Sequence, residues 1–433
     1  MDLATVALLA GFVVVFSLFS HRIEPWPVSG PMVFVAFGLV IGPEALDIAH
    51  IELESESVVV LAEVTLAVLL FSDAARLDVP ALRRDPGIPA RLLAIGLPLT
   101  VALGTVLTAL LLTDLSIWEA ALIAAVLTPT DAALGQAVVT DRRVPCRIRQ
   151  SLNVEAGLND GLIVPVVTVF VAMVEEGEAD GVGSFVTDAL QQIAIGVGVG
   201  VGVALAAGWL LAMADKRGWV ARDYEQLAML AIGVGSYALS TDLDGNGFIA
   251  AFVAGLSLSA LMGAGAVRRV AFSEDVGQLL ALVMFVVFGA TMVGPALGEL
   301  TLPVALCAIG TLTIGRMVPV WVATAGSGLA SVSRLFLGWF GPRGLASILF
   351  GLLIVEESDI AGKSTLFVIV TWVVVISVVA HGMSAAPGAG RYAAWLARRA
   401  DADTMMEAIP APEPRVRWWR HRHPAPSSQD PDQ

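Results

Sequence analysis

Apolar runs of about 20 residues, the length that carries a helix across the hydrocarbon core of a bilayer, recur along almost the whole chain. They fall near 3–20, 29–43, 57–77, 88–112, 117–140, 149–174, 184–213, 225–240, 247–263, 275–294, 301–325, 333–355 and 364–385. This pattern predicts an all-α polytopic membrane protein of about 13 spans, with residues 1–386 as the transmembrane domain. The first run lacks a basic leading segment and a small-residue cleavage signal, so it reads as a retained helix and not a signal peptide. Residues 387–433 read as a cytoplasmic tail. Its basic start, Arg391 to Arg399, suits the inner membrane surface, and its Pro-rich end around Trp418, Trp419, Arg420 and His421 has the composition of a disordered segment.

The polar connections test this segmentation independently. Arg22, then Arg76, Arg83, Arg84 and Arg91, then Arg142, Arg143, Arg147 and Arg149 fall on alternate connections. The alternation continues through Lys216, Arg217 and Arg222, Arg268 and Arg269, Arg334 and the arginines of the tail. Of the 25 basic residues, only Lys363 falls on the opposite set, while Arg316 and Arg343 lie inside spans. Basic connections stay in the cytoplasm, so the N-terminus is expected outside, the C-terminus inside, and the span count odd. The other connections are acidic: Glu44 to Glu56, Asp114 to Glu119, Glu175 to Asp188, Asp242 to Asp244, Glu299, and Glu356 to Asp359. They form an outer face that either gathers cations or simply solvates the protein.

Composition narrows the classes further. With 57% hydrophobic residues, 15% charged and a mean hydropathy of +0.80, the chain leaves no room for a large soluble domain, and no nucleotide- or nucleic-acid-binding module is visible. Two cysteines, Cys146 and Cys307, exclude a disulfide framework or a cysteine zinc site. No cofactor is expected.

Charge inside an apolar run moves the question from architecture to chemistry. The stretch from Ser151 to Gly161 sets Glu155, Asn159 and Asp160 at the head of the run 162–174. A carboxylate facing lipid at mid-bilayer costs about 2.5 to 3.5 kcal/mol, so these acids must face protein or water. Glu155 and Asp160, five apart on a helix, point roughly 140° away from each other and need different partners. In Leu127-Thr128-Pro129-Thr130-Asp131, Pro129 removes a backbone donor and clashes one turn back, which predicts a broken helix in span 5. Such breaks build the ion sites of secondary transporters; the plainer alternative is a kink that Thr130 and Asp131 merely cap. Gly341-Pro342-Arg343-Gly344 predicts a matching break in span 12, with Arg343 turned toward the first. With span 7 as a linker, spans 5 and 12 become corresponding members of two inverted six-span halves. Arg316, inside the run 309–322, requires a buried carboxylate, and Glu155 is the natural one. Asp160 is left without a fixed cation, and hard oxygen ligands suit Na+ or Li+.

Asn159-Asp160 after Glu155, Thr130-Asp131 in a broken span, Gly315-Arg316 in span 11 and Gly341-Pro342-Arg343-Gly344 in span 12 together resemble the cation:proton antiporter superfamily, in its NhaP and sodium/proton exchanger branch. The resemblance covers spans 3 to 13 in order. It implies an inverted-repeat fold with a mobile core of crossed broken helices, a dimerisation domain, and a homodimer in the cell membrane that serves pH homeostasis. The activity it implies is exchange of Na+ or Li+ for H+, with K+/H+ exchange as an alternative in the same fold. By position, Asp160 is the carboxylate shared between Na+ and the proton, Asn159 its amide neighbour, Thr130 and Asp131 the ligands from the broken span, and Glu155 with Arg316 a structural ion pair. Asp73 matches an acid near the family's ion path and reads equally well as an interfacial carboxylate beside Arg76.

Two positions depart from the family pattern. Ala156 stands where relatives often carry Ser, which removes one oxygen ligand, and Ala132 follows Asp131 where many have Pro. Two other classes use membrane carboxylates as well. One is a cation channel; the other is an intramembrane aspartyl protease with Asp131 and Asp160 as its dyad, although the sequence lacks the Tyr-Asp and Gly-x-Gly-Asp pairings of such enzymes. Asn159 cannot take up a proton in the working range, so Asp160 alone predicts one proton per cation and electroneutral exchange.

Overall fold

The computed structural model describes residues 3–23, 26, 28–49, 51–53, 55–77, 79, 82, 87–131, 133–178, 184–262, 266–357, 360–399 and 405–409. Arg83, Arg84, Ala132, Asp359 and the tail end around Trp418 lie outside the described residues. The helices are α1 (Leu3–Ile23), α2 (Gly30–Ile41), α3 (Glu56–Arg76), α4 (Gly87–Leu111), α5 (Ile117–Val126), α6 (Gln136–Thr140), α7 (Cys146–Glu178) and α8 (Ser184–Lys216). They continue as α9 (Arg222–Asp242), α10 (Gly247–Met262), α11 (Ala271–Phe288), α12 (Leu302–Leu312), α13 (Ile314–Ala323), α14 (Ser331–Trp339), α15 (Leu345–Glu357) and α16 (Lys363–Ala397). Among the described residues, eight helical segments are long and apolar enough to cross a membrane: α1, α3, α4, α7, α8, α11 with its extension to Glu299, α12 with α13, and α16. Four shorter apolar helices, α2, α5, α10 and α15, accompany them. Each apolar run of the sequence falls on one helix or a pair. The run at 225–240 is α9, which belongs to neither group and carries Arg222, Asp223, Glu225 and Asp242 at its ends.

Local chemistry starts these helices where the sequence places them. Ser116 accepts a hydrogen bond from the Glu119 amide at 3.2 Å, and the Glu119 carboxylate accepts one from the Ser116 amide at 2.7 Å. This reciprocal cap satisfies two donors at the head of α5. Thr301 caps α12 through the Val304 amide, with Pro303 in the first turn, where its missing donor costs nothing. Packing then brings backbones into contact. A Cβ on Gly38 of α2 would lie 2.1 Å from the Val286 carbonyl oxygen of α11, and one on Gly289 would lie 2.2 Å from the Val35 oxygen. Small residues permit that approach, and α11 relaxes into a π turn, Gly289–Val293, at the same crossing. On the other flank α10 packs against α3, α8 and α9.

Both expected breaks are present. Span 5 divides into α5 and the five-residue α6, and span 12 into α14 and α15. A third break, which the sequence reading missed, separates α12 from α13 at Thr313 (φ −105°, ψ −85°). Pro165, Pro319 and Pro387, by contrast, sit inside continuous helices. The expected domain boundary at 386/387 therefore falls within α16, which runs on to Ala397.

Beyond α16 the chain folds back. Glu407 is 1% exposed and accepts from Ser333 Oγ at 2.5 Å and from the Ala330 amide at 2.9 Å, while Tyr392 Oη lies 2.8 Å from Ser333 Oγ. Residues 405–409 thereby cap the head of α14. Glu407→Ala strands these buried partners, an effect of about 1 to 3 kcal/mol. A melt of the detergent-solubilised variant is expected to show that loss, and an unchanged melt would contradict the capping role.

Candidate ion site at the crossing of two broken helices

The two breaks satisfy each other's freed backbone groups. A helix end leaves unpaired carbonyls at its C-terminus and unpaired amides at its N-terminus. Arg343 Nη1 donates to the Thr128 carbonyl, and to the Pro129 carbonyl at 3.2 Å, just past the C-terminus of α5. Asp131 Oδ2 accepts from the Leu345 amide at 3.0 Å, at the N-terminus of α15. The Asp131 amide donates to the Pro342 carbonyl at 2.8 Å, and Ser347 Oγ donates to the Val126 carbonyl at 2.8 Å. Asp131 thus caps the other helix through Oδ2, while its Oδ1 accepts from the Ala133 amide inside its own break at 2.8 Å. The close fit explains two glycines: a Cβ on Gly341 would sit 2.4 Å from Arg316 Nε, and one on Gly344 would sit 2.1 Å from Asp131 Oδ2. Gly344→Ala forces Asp131 off the Leu345 amide at the head of α15; the loss of a cap costs about 0.5 to 2 kcal/mol. Lowered thermal stability is the expected readout, and a variant as stable as the parent would contradict the contact.

Glu155 and Arg316 meet as expected, in a two-pronged pair at 2.5 and 2.8 Å, with both side chains 4% exposed. Four residues further along α7, Asn159 Nδ2 donates to Thr130 Oγ1 at 2.6 Å. Asn159 Oδ1 and Asp160 Oδ1 are both buried and have no hydrogen-bond donor within the described protein. Asp160, Thr130, Asp131, Ala156 and Asp73 line one cavity of about 150 Å³. A water needs only about 10 to 15 Å³ on such a measure, so the cavity has room for a cation with several waters. Ala156 lines it with a methyl group, and the oxygen of a Ser is missing at that point.

The Asp73 carboxylate pairs with Arg76 at 3.3 Å, and Asp73 also lines the cavity. Further residues at the site escaped the sequence reading. Asn153, Gln136, Gln278 and Glu274 line the cavity. Ser377 Oγ accepts from the Arg343 amide at 2.7 Å, and His381 bridges the Ser377 and Trp339 carbonyls at 2.9 Å each. The signal for that pair was available, because Ser377 and His381 are four apart on one face of an otherwise apolar span. Outside the spans, the Arg143 side chain, 2.7 Å away, holds the Asp141 carboxyl below the usual carboxylate range.

Comparison with known proteins places this geometry. Residues 5–389 match the family described as sodium/hydrogen exchanger, transmembrane. The chain is 25% identical over 380 residues to the K(+)/H(+) antiporter NhaP2 of Shewanella sp. (strain MR-4), covering 87% of this chain and 64% of that protein. It therefore spans just under two thirds of the length of that relative. A shorter match, 30% identical over 87 residues, covers 20% of this chain and 21% of the probable Na(+)/H(+) antiporter 2 of Methanocaldococcus jannaschii. Among solved structures, the sodium proton antiporter MjNhaP1 from Methanocaldococcus jannaschii superposes with a TM-score of 0.72 at 20% identity, over 92% of this chain and 98% of that one. The likeness is one of fold.

Proposed function

This chain belongs to the transmembrane sodium/hydrogen exchanger family, and from that premise we propose that it exchanges a monovalent cation, first of all Na+, for H+ by alternating access. One observation carries the reading: Asp160 sits in the cavity with a buried, undonated oxygen, while the nearby charges of Glu155, Arg316, Asp131 and Arg343 are engaged with one another or with helix ends. A desolvated carboxylate of that kind is neutralised by a proton or by a metal ion, and one oxygen serves both. The protease alternative needs two carboxylates that share a proton, and the oxygens of Asp131 are committed to the Leu345 and Ala133 amides. Na+, Li+ and H+ are then the substrates, with Asp160, Asn159, Thr130, Asp131 and Asp73 along their path. K+ is the second reading, favoured because the relative matched over most of the chain is a K(+)/H(+) antiporter.

The same reading gives 13 crossings in two inverted six-span halves about α8, the N-terminus outside, the C-terminus in the cytoplasm, and a homodimer in the cell membrane. The alternation of basic and acidic connections supports that orientation. Arg76, Gln136 and Glu274, which line the cavity, lie near the basic connections in the sequence, which supports a cavity that opens to the cytoplasm. The test is a set of proteoliposomes with an entrapped pH dye, challenged with Na+, Li+ and K+ in turn. Proton flux with Na+ is expected; a larger response to K+ selects the second reading, and no response to any of them overturns both. With the potential clamped by potassium and valinomycin, the Na+-driven end point is expected to ignore voltage. A voltage-shifted end point would show that Asp131 or Asp73 carries a second proton.

A further inference from the structure

One face of α16 holds both sides of the break between α14 and α15. Ser377, His381 and Ser384 follow one another at spacings of four and three, which stacks them on one face of the helix. Trp339, the last residue of α14, is held twice. His381 Nε2 lies 2.9 Å from its carbonyl oxygen, which also accepts from the Gly341 amide, and its indole Nε1 donates to Ser384 Oγ at 2.9 Å. A carbonyl only accepts, so the bond from His381 takes a proton on Nε2. Just before α15 begins, the Arg343 amide donates to Ser377 Oγ at 2.7 Å. Ser377 Oγ also lies 3.2 Å from His381 Nδ1, so one pair of contacting side chains joins the two sides. Both side chains are buried, Ser377 completely and His381 to 1% exposure.

We propose that Ser377 and His381 are positioning residues for the cation site, a reading that rests on the antiport function above. In an unbroken helix the Arg343 amide would donate to the Trp339 carbonyl four residues back. The pair stands in for that one missing bond: Ser377 supplies the acceptor and His381 the donor. α16 thereby fixes how far the break opens and where Arg343 stands. Arg343 carries that position to the other break, since its side chain donates to the Thr128 and Pro129 carbonyls, and the neighbouring Pro342 carbonyl accepts from the Asp131 amide. Thr130 lies between these anchors, and its Oγ1 accepts from Asn159. The oxygens that span 5 offers the cation are therefore set by hydrogen bonds made on α16. Groups that orient an ion's ligands change its affinity without touching it.

The role is read from the KM for the cation in proteoliposomes with an entrapped pH dye, using whichever of Na+ and K+ drives the larger flux in the parent. Ser377→Ala leaves the Arg343 amide without its acceptor and is expected to raise that KM several-fold. His381→Asn, whose amide is too short to reach the Trp339 carbonyl, raises it as well. His381→Gln, whose amide nitrogen reaches about as far as Nε2, brings the KM back close to the parent value. A purely structural role would lower the folded fraction, and with it the maximal rate, at unchanged KM. The His381 pair decides alone if Ser377→Ala does not fold. An unchanged KM in Ser377→Ala or in His381→Asn, or a Gln variant no better than the Asn variant, would overturn the positioning role while parent flux persists. Absence of flux in the parent would overturn the antiport reading and this one with it.

Discussion

Proteoliposomes carrying Asp160→Asn are expected to show no cation-driven proton flux above that of protein-free vesicles, while the protein remains folded. The substitution keeps the size of the side chain and removes a cavity carboxylate whose buried Oδ1 has no donor among the described residues. An amide neither releases a proton in the working range nor neutralises a cation, so both halves of the exchange stop together. Stability is not expected to fall, because among the described residues Asp160 makes no ion pair of the kind that Glu155 makes. Flux at the parent rate from the Asn variant would remove Asp160 from the centre of the mechanism.

Arg316→Leu and Glu155→Gln are expected to fail in the opposite way. Each leaves a buried partner of a bidentate pair, both side chains 4% exposed, without its counter-charge, which costs about 3 to 5 kcal/mol. Gly341 has no Cβ because Arg316 fills that space, so the Leu variant also opens a gap at the break between α14 and α15. The measurement is thermal unfolding in detergent, read beside cation-driven flux on whatever protein folds. A large loss of stability is expected for both variants, and parent-like melts would contradict the pairing. Set against Asp160→Asn, these variants separate the charge that holds the core together from the charge that carries the ion.

Why some of this was legible in the sequence follows from what each feature depends on. The spans depend on composition within a window of one helix, so every apolar run found a helix. The Glu155–Arg316 pair was legible because a buried guanidinium must find a carboxylate, and helical periodicity had already turned Glu155 away from Asp160. Breaks were half legible. Pro129 and Pro342 end helices, but Pro165, Pro319 and Pro387 do not, and Thr313 interrupts a span without any proline. The difference lies in partners that arrive from far along the chain. Arg343 and Asp131 receive the freed groups of the opposite helix across 214 positions of sequence, and no local window contains that information. Glu274 was invisible for a related reason: at the start of a span it looks solvated, until α3 brings Arg76 against it.

The central claim is that one carboxylate serves cation and proton in turn, and the KM for the cation as a function of pH tests it most directly. Proteoliposomes held at equal pH on both sides would be assayed by tracer cation exchange over a range of pH values. Where the carboxyl is mostly protonated, competition for a single site requires the KM to rise about tenfold for each unit of acidification, because cation binding must then release a proton; the maximal exchange rate stays constant. A KM that does not move with pH, as separate cation and proton sites would give, would contradict the account.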